Sequence, residues 1–137
     1  MRNPDSSYLH WGGWEPAAAE ILRRAHDLVA FGWCQDVDAR DASYRPVQPW
    51  SSQACYWSLL GALVAALDAP RGARLESPQL IAELRLALEA LSETMTAWSL
   101  KDWNDDGGRT QGEVLDTLTA AQRRCLTSHA TTDPDGC

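Results

Sequence analysis

One stretch constrains this chain more than any other. From Ala54 to Leu67, "ACYWSLLGALVAAL", apolar residues run almost unbroken, interrupted only by Ser58 and Gly61. A segment apolar on nearly every face has to be surrounded, by lipid or by the rest of the protein. It falls well short of the roughly 20 residues that cross a bilayer, so it predicts a buried helix at the centre of a globular fold. Ser51 or Ser52 is placed to cap that helix, and Gly61, Ala62, Ala65 and Ala66 offer small surfaces for close packing.

The flanking segments supply helices to cover it. In "PAAAEILRRAHDLVAFGW", Ala18, Ile21, Leu22, Ala25, Leu28 and Val29 recur at the 3-4 spacing of one helix face, with Pro16 in the first turn and Gly32 at the end. Ser77-Pro78 starts a third helix, whose stripe is Leu80, Leu84, Leu88, Leu91, Met95 and Trp98, with Glu83, Arg85, Glu89 and Glu93 largely off it. A fourth begins at Thr110 and keeps Val114, Leu118, Ala121 and Cys125 on one face. No strand pattern and no internal repeat interrupt this series. The expectation is an all-α fold, an irregular four-helix bundle with one central apolar helix and a long loop between helices 1 and 2. Residues 1–14 form an N-terminal arm, 15–126 a single helical domain, and 127–137 a frayed tail.

That loop, Trp33 to Trp50, holds two prolines, mixed charges and no sustained period, with an extended piece expected around Tyr44 to Val47. Long loops in small domains are where function often sits. The chain's 137 residues suffice for a core without metal or disulfide staples. Its four cysteines include no Cys-x-x-Cys pair, and the first sixteen residues lack an apolar signal core, so the expected setting is cytoplasmic. Nineteen acidic against twelve basic residues give a net charge of −7, which repels phosphate backbones and argues against nucleic acid as a partner.

The stretch "DWNDDGGRTQGE", Asp102 to Glu113, spells the calcium-loop pattern D-x-[DN]-x-[DN]-G-x₅-E. Asp102, Asn104 and Asp106 would supply side-chain oxygens, Gly107 the sharp turn, Gly108 a carbonyl and Glu113 the bidentate closure. Against this reading, Arg109 replaces the aliphatic residue of the eighth loop position, Lys101 replaces an apolar residue before the first ligand, and no second loop exists to pair with it. Helix chemistry alone accounts for the same letters: Thr110-Gln111-Gly112-Glu113 is a capping box, and Asn104 to Gly108 is turn-forming. The preferred reading is therefore a turn and a cap without a cofactor, with Ca²⁺ as the alternative.

The combination "AAAEILRRAHDLVAFGW", "SLLGAL" and "WNDDGGRTQGEVLDTLTAA" resembles a family of small uncharacterised bacterial helical proteins, frequent in actinobacteria. Its members share a helix ending in Gly-Trp, a Cys-x-x-Gly-Ala-Leu helix and a Trp-Asn-Asp…Arg-Thr turn before the last helix. The resemblance covers most of Ala17 to Ala121 and implies a helical fold without naming an activity. Ser58 stands where the family's cysteine precedes Leu-Leu-Gly-Ala-Leu, and Cys55 lies about one turn earlier, so the resemblance carries no cysteine-based role over to this chain.

Seven tryptophans are many for this length. Trp33, Trp50 and Trp103 fall in loops or at helix ends, where aromatics either plug gaps or line a binding surface. Asn104, Asp105 and Arg109 form a polar group that either holds a ligand or holds the loop to itself. Cys34 and His26 lack the spacing and third residue of a catalytic pair. The aromatic arm "YLHWGGW" either docks on a partner, including a second copy in a homodimer, or folds back on its own core. The leading expectation is a non-enzymatic module that binds a protein or small ligand at the surface formed by the 33–50 loop and the 102–110 turn. A small enzyme with a tryptophan-lined pocket, with Asp105, Arg109 and Cys34 as its first candidates, stands behind the calcium reading.

Overall fold

The structure, a computed structural model, describes residues 14–71, 78–95 and 99–131. The aromatic arm before Trp14, the Ser77 cap, Trp98 and the chain after Thr131 lie outside the described residues. Within them the chain is mostly helical: α1 (Trp14–Phe31), β1 (Ala39–Arg40), β2 (Tyr56–Trp57), α2 (Leu59–Arg71), α3 (Pro78–Ser92), α4 (Leu100–Asn104) and α5 (Gln111–Thr131). No described helix is long and apolar enough to cross a membrane.

α1 forms as its pattern predicts. Ala18, Ala19, Ile21, Leu22, Ala25 and Val29 are buried, while Glu20, Arg23, Arg24 and Asp27 lace the outer face with ion pairs three and four residues apart. α1 is also the hub of the fold. It packs most extensively on α5 and then on α2 and α3, so the central helix is this one and not the most apolar one.

The apolar segment starts its helix seven residues later than Ser52, at Leu59. The reason is that Tyr56 and Trp57 are taken by an antiparallel ladder, with Ala39 opposite Trp57 and Arg40 opposite Tyr56. The expectation of no strand fails here, because two-residue strands are too short to show a period of two. Ser51 caps only a turn, its Oγ accepting from the Gln53 N–H at 3.0 Å. The cap of α2 is Ser58, whose Oγ accepts from the Gly61 N–H at 3.0 Å.

The connector between α1 and α2 is woven tightly. Trp57 N–H donates to the Gly32 carbonyl at 3.0 Å, Cys34 N–H to the Trp57 carbonyl at 3.2 Å, and Val47 N–H to the Ala39 carbonyl at 3.0 Å. The extended piece expected near Tyr44 to Val47 appears as a single bridge between Pro46 and Arg40. Two glycines are required by close approach: a Cβ on Gly32 would sit 2.2 Å from the Cys55 carbonyl oxygen, and one on Gly61 would sit 1.9 Å from that of Asp38. The Gly-Trp and Leu-Leu-Gly motifs thus mark the two points where the connector crosses a helix.

α3 is rotated relative to its leucine stripe. Leu80, Glu83, Ala87, Ala90 and Leu91 are buried, whereas Leu84 and Leu88 are half-buried and Arg85 and Glu89 exposed. Glu83, expected off the buried stripe, lies fully inside. α5 buries Val114, Leu118, Ala121 and Cys125 as expected, and runs through Thr131, beyond the domain end expected at 126.

Candidate functional site

The 102–113 segment is built from helix-end chemistry. Ser99 Oγ accepts from the Asp102 N–H at 3.0 Å and starts the short helix α4. Trp103 and Asn104 close that helix, both buried. The capping box is present: Thr110 Oγ1 accepts from the Glu113 N–H at 3.2 Å, and Glu113 Oε1 accepts from the Thr110 N–H at 3.0 Å. Arg109 packs on Trp103. Its guanidinium lies 3.9 Å from the Trp103 ring centroid, and its Nε donates to the Trp103 carbonyl at 2.9 Å.

Asn104 is the centre of the arrangement and is fully buried. Its Oδ1 accepts from the Trp33 indole N–H at 2.7 Å and from the Leu59 N–H at 3.0 Å. Its Nδ2 donates to the Cys34 carbonyl at 3.1 Å and to Asp105 Oδ1 at 3.0 Å. All four hydrogen-bonding positions of the amide are therefore used. One side chain joins the Gly-Trp end of α1, the first N–H of α2 and α4. Leu59 is otherwise one of the orphan donors of a helix start.

Asp105 extends the seam outward. Oδ1 accepts from the Asp36 N–H at 2.8 Å and Oδ2 from the Lys101 ammonium at 2.7 Å. Burial opposes charge on this carboxyl, but the Asp36 N–H, Lys101 and Asn104 together outweigh it and hold its pKa below the usual range. Asp36 adopts a left-handed φ of 76° at this junction. Gln35 Nε2 adds bonds to the Asn104 carbonyl at 2.9 Å and the Asp106 carbonyl at 2.8 Å. The hollow between Asp36, Asp38, Ser58, Lys101 and Asp105 measures about 10 Å³, the space of one water at most.

Of the sequence-predicted binding residues, Trp33, Asn104 and Asp105 come together in this seam, while Trp103 and Arg109 stack on each other beside it. Trp50 stands apart. For the calcium spelling, Asp102 is exposed, Asn104 spends its oxygen on Trp33 and Leu59, Asp106 Oδ1 accepts from the Gly108 N–H at 2.9 Å, and Glu113 is engaged in the cap. Gly107 and Gly108 take no left-handed φ, and a side chain on Gly107 would meet open space, so the sharp turn assigned to it is not one only glycine can make. Among the described residues, no group of three His, Cys, Asp or Glu is placed to hold a metal ion.

Cys34 is buried, with its thiol pushed up to about 11 by burial, so it stays protonated at neutral pH. Its Sγ–H points to the Val37 carbonyl at 3.7 Å. His26 contacts Asp27 instead, at 3.8 Å.

An open apolar surface lies at the other end of the connector. Pro49, Trp50, Trp57, Leu28, Ala65 and Ala66 wall a mostly apolar cleft of about 360 Å³ between α1 and α2, with Arg24 and Asp27 at its charged side. Trp57 is 7% exposed and its indole N–H donates to the Pro49 carbonyl at 3.0 Å, which fixes the loop that carries Trp50. Trp50 is 56% exposed and Phe31 75%, and the Phe31 ring meets Trp57 edge-on at 6.3 Å. Sequence reasoning named Trp50 but not Trp57 or Phe31. The signal available for Trp57 was its place in the apolar run, which pointed only to burial.

These features define a small, mostly helical domain whose connector is fastened by a buried asparagine and which carries an open aromatic cleft among the described residues. Residues 15–124 match a family of unknown function, DUF6197, and the chain belongs to that family. No curated protein and no solved structure matches it.

Proposed function

We propose that the chain is a non-enzymatic binding module and that its ligand surface is the cleft between α1, α2 and the Pro49–Trp50 turn. The occupant is an apolar or aromatic side chain presented by a protein partner. The observation that carries this reading is the exposed Trp50 beside the buried, hydrogen-bonded Trp57 in the cleft wall, with the exposed Phe31 ring against the edge of Trp57. Rigid aromatics around a pre-formed hollow are the usual anchors of protein recognition, and exposed apolar clusters of this kind are uncommon on surfaces that touch only water. Arg24 and Asp27 would select for polar groups flanking the inserted side chain.

This reading shifts the binding surface expected from the sequence. Trp50 remains in it, while Trp33, Asn104 and Asp105 become parts of the scaffold. The test is an NMR titration with N-acetyl-tryptophanamide, N-acetyl-phenylalaninamide and N-acetyl-leucinamide as probes. Saturable shifts of the Trp50 and Trp57 indole protons, abolished by Trp50→Ala in a protein that melts normally, support the proposal. Shifts confined to the Trp33 and Trp103 indoles, or none with any probe, would refute it.

A further inference from the structure

α3 has two apolar rows, and the fold buries one of them fully and the other only in part. Leu80, Ala87, Ala90 and Leu91 face the core. Ile81, Leu84 and Leu88 form the second row, which with Arg85, Glu89 and Ser92 lines a shallow groove of about 460 Å³. Ile81 is 45% exposed. Arg85 and Glu89 are exposed, lie one helical turn apart along this groove, and make no ion pair or side-chain hydrogen bond among the described residues. Several exposed charges elsewhere are paired within the chain, as in Arg23 with Glu20 and Asp27, Lys101 with Asp105, and Arg124 with Glu93.

We propose that α3 is a self-complementary surface that pairs with α3 of a second copy, antiparallel about a two-fold axis. The charges select this occupant and this direction. An axis crossing near Leu86 and Ala87 sets Leu84 against Leu88 of the partner subunit. It also brings Arg85 to within about 3 Å, along the helix axis, of Glu89 of the partner subunit, an offset that long side chains span easily. The two-fold repeats both contacts, so one patch supplies two leucine pairs and two ion pairs, which is the requirement of an isologous interface. A parallel pairing would set Arg85 against Arg85 of the partner subunit and Glu89 against Glu89 of the partner subunit, and is disfavoured by like charge. A single helix face is a small interface, so association is expected in the micromolar range.

The experiment is sedimentation equilibrium on the full chain up to about 100 μM, where micromolar association is visible. Wild type is compared with Arg85→Glu, with Glu89→Arg, and with an equimolar mixture of the two variants. The expected result is a wild-type dimer, association at least tenfold weaker for each variant alone, and recovery of the dimer in the mixture, because there every cross-interface pair is again of opposite sign. A monomeric wild type overturns the proposal, as does a dimer indifferent to both reversals. A mixture that stays monomeric overturns the antiparallel register. Variants that fail to fold contradict the exposed setting of Arg85 and Glu89 on which the inference stands.

Discussion

Trp33 and Trp50 belong to the same connector, yet they end in opposite states. The Trp33 indole N–H is held by a fully buried asparagine within a seam whose polar atoms are spent on one another. Trp50, at the other end, is more than half exposed over a cleft of about 360 Å³. The seam is dense in the residue types that suggest ligand chemistry, whereas the cleft has few of them. The difference teaches that a cluster of Asp, Asn and Arg signals binding only when some of its hydrogen-bonding capacity is left over.

The largest effect expected from breaking this contrast is that of Asn104→Ala. It strands the buried Leu59 N–H and Cys34 carbonyl and the partly buried Trp33 indole N–H. At roughly 1–3 kcal/mol for each unsatisfied buried group, partly relieved by relaxation, we expect a loss of about 4 kcal/mol in urea unfolding. Gly61→Ala follows. Its Cβ would meet the Asp38 carbonyl oxygen at 1.9 Å, a backbone atom that cannot swing aside. A loss of about 3 kcal/mol, and a slower-exchanging Ser58 N–H turned fast as its bond to Asp38 breaks, are the expected readouts.

A smaller, pH-dependent effect sharpens the role of Asp105. Its pKa is lowered in the fold, so its contribution is present above the unfolded carboxylate value of about 3.9 and is lost as pH falls through the lower folded value. Wild-type stability should drop across that acid window. Asp105→Asn should flatten this limb, and equal slopes for the two proteins would remove Asp105 from the seam's electrostatics. Smaller still is Trp50→Ala, expected within about 0.5 kcal/mol of wild type because the side chain is largely exposed. At the bottom of the scale, saturating Ca²⁺ should leave the melting temperature within about 1 °C, since ligand binding to the folded state alone would raise it. A calcium-dependent rise that disappears in Glu113→Gln would return the 102–113 loop to the status of a cation site.

How much of this was legible depended on the length over which each signal was written. The faces of α1 and α5, and the Thr110–Glu113 capping box, are local patterns of four to eighteen residues and were readable as such. The late start of α2 was not, because what removes Tyr56 and Trp57 from the helix is pairing with Ala39 and Arg40, some seventeen residues away in sequence. The rotation of α3 was hidden for a related reason: its leucines outnumber its alanines to the eye, but Ala87 and Ala90 fit the close approach of neighbouring helices and the larger Leu84 and Leu88 are left half out. At the site, the grouping of Asn104, Asp105 and Arg109 was visible, yet Arg109 turned to Trp103 and Asn104 to Trp33, whose partnership spans 71 residues. Only the fold could say that the amide had nothing left for a ligand.

The measurement that bears most directly on the contrast is hydrogen–deuterium exchange of the tryptophan indole protons, followed by NMR. The Trp33 Nε1–H, donated to Asn104 at 2.7 Å, should exchange only through opening of the fold, while the Trp50 proton, with no acceptor among the described residues, should be gone within the dead time. Comparable rates for the two would contradict the account, because the seam would then be as open as the cleft.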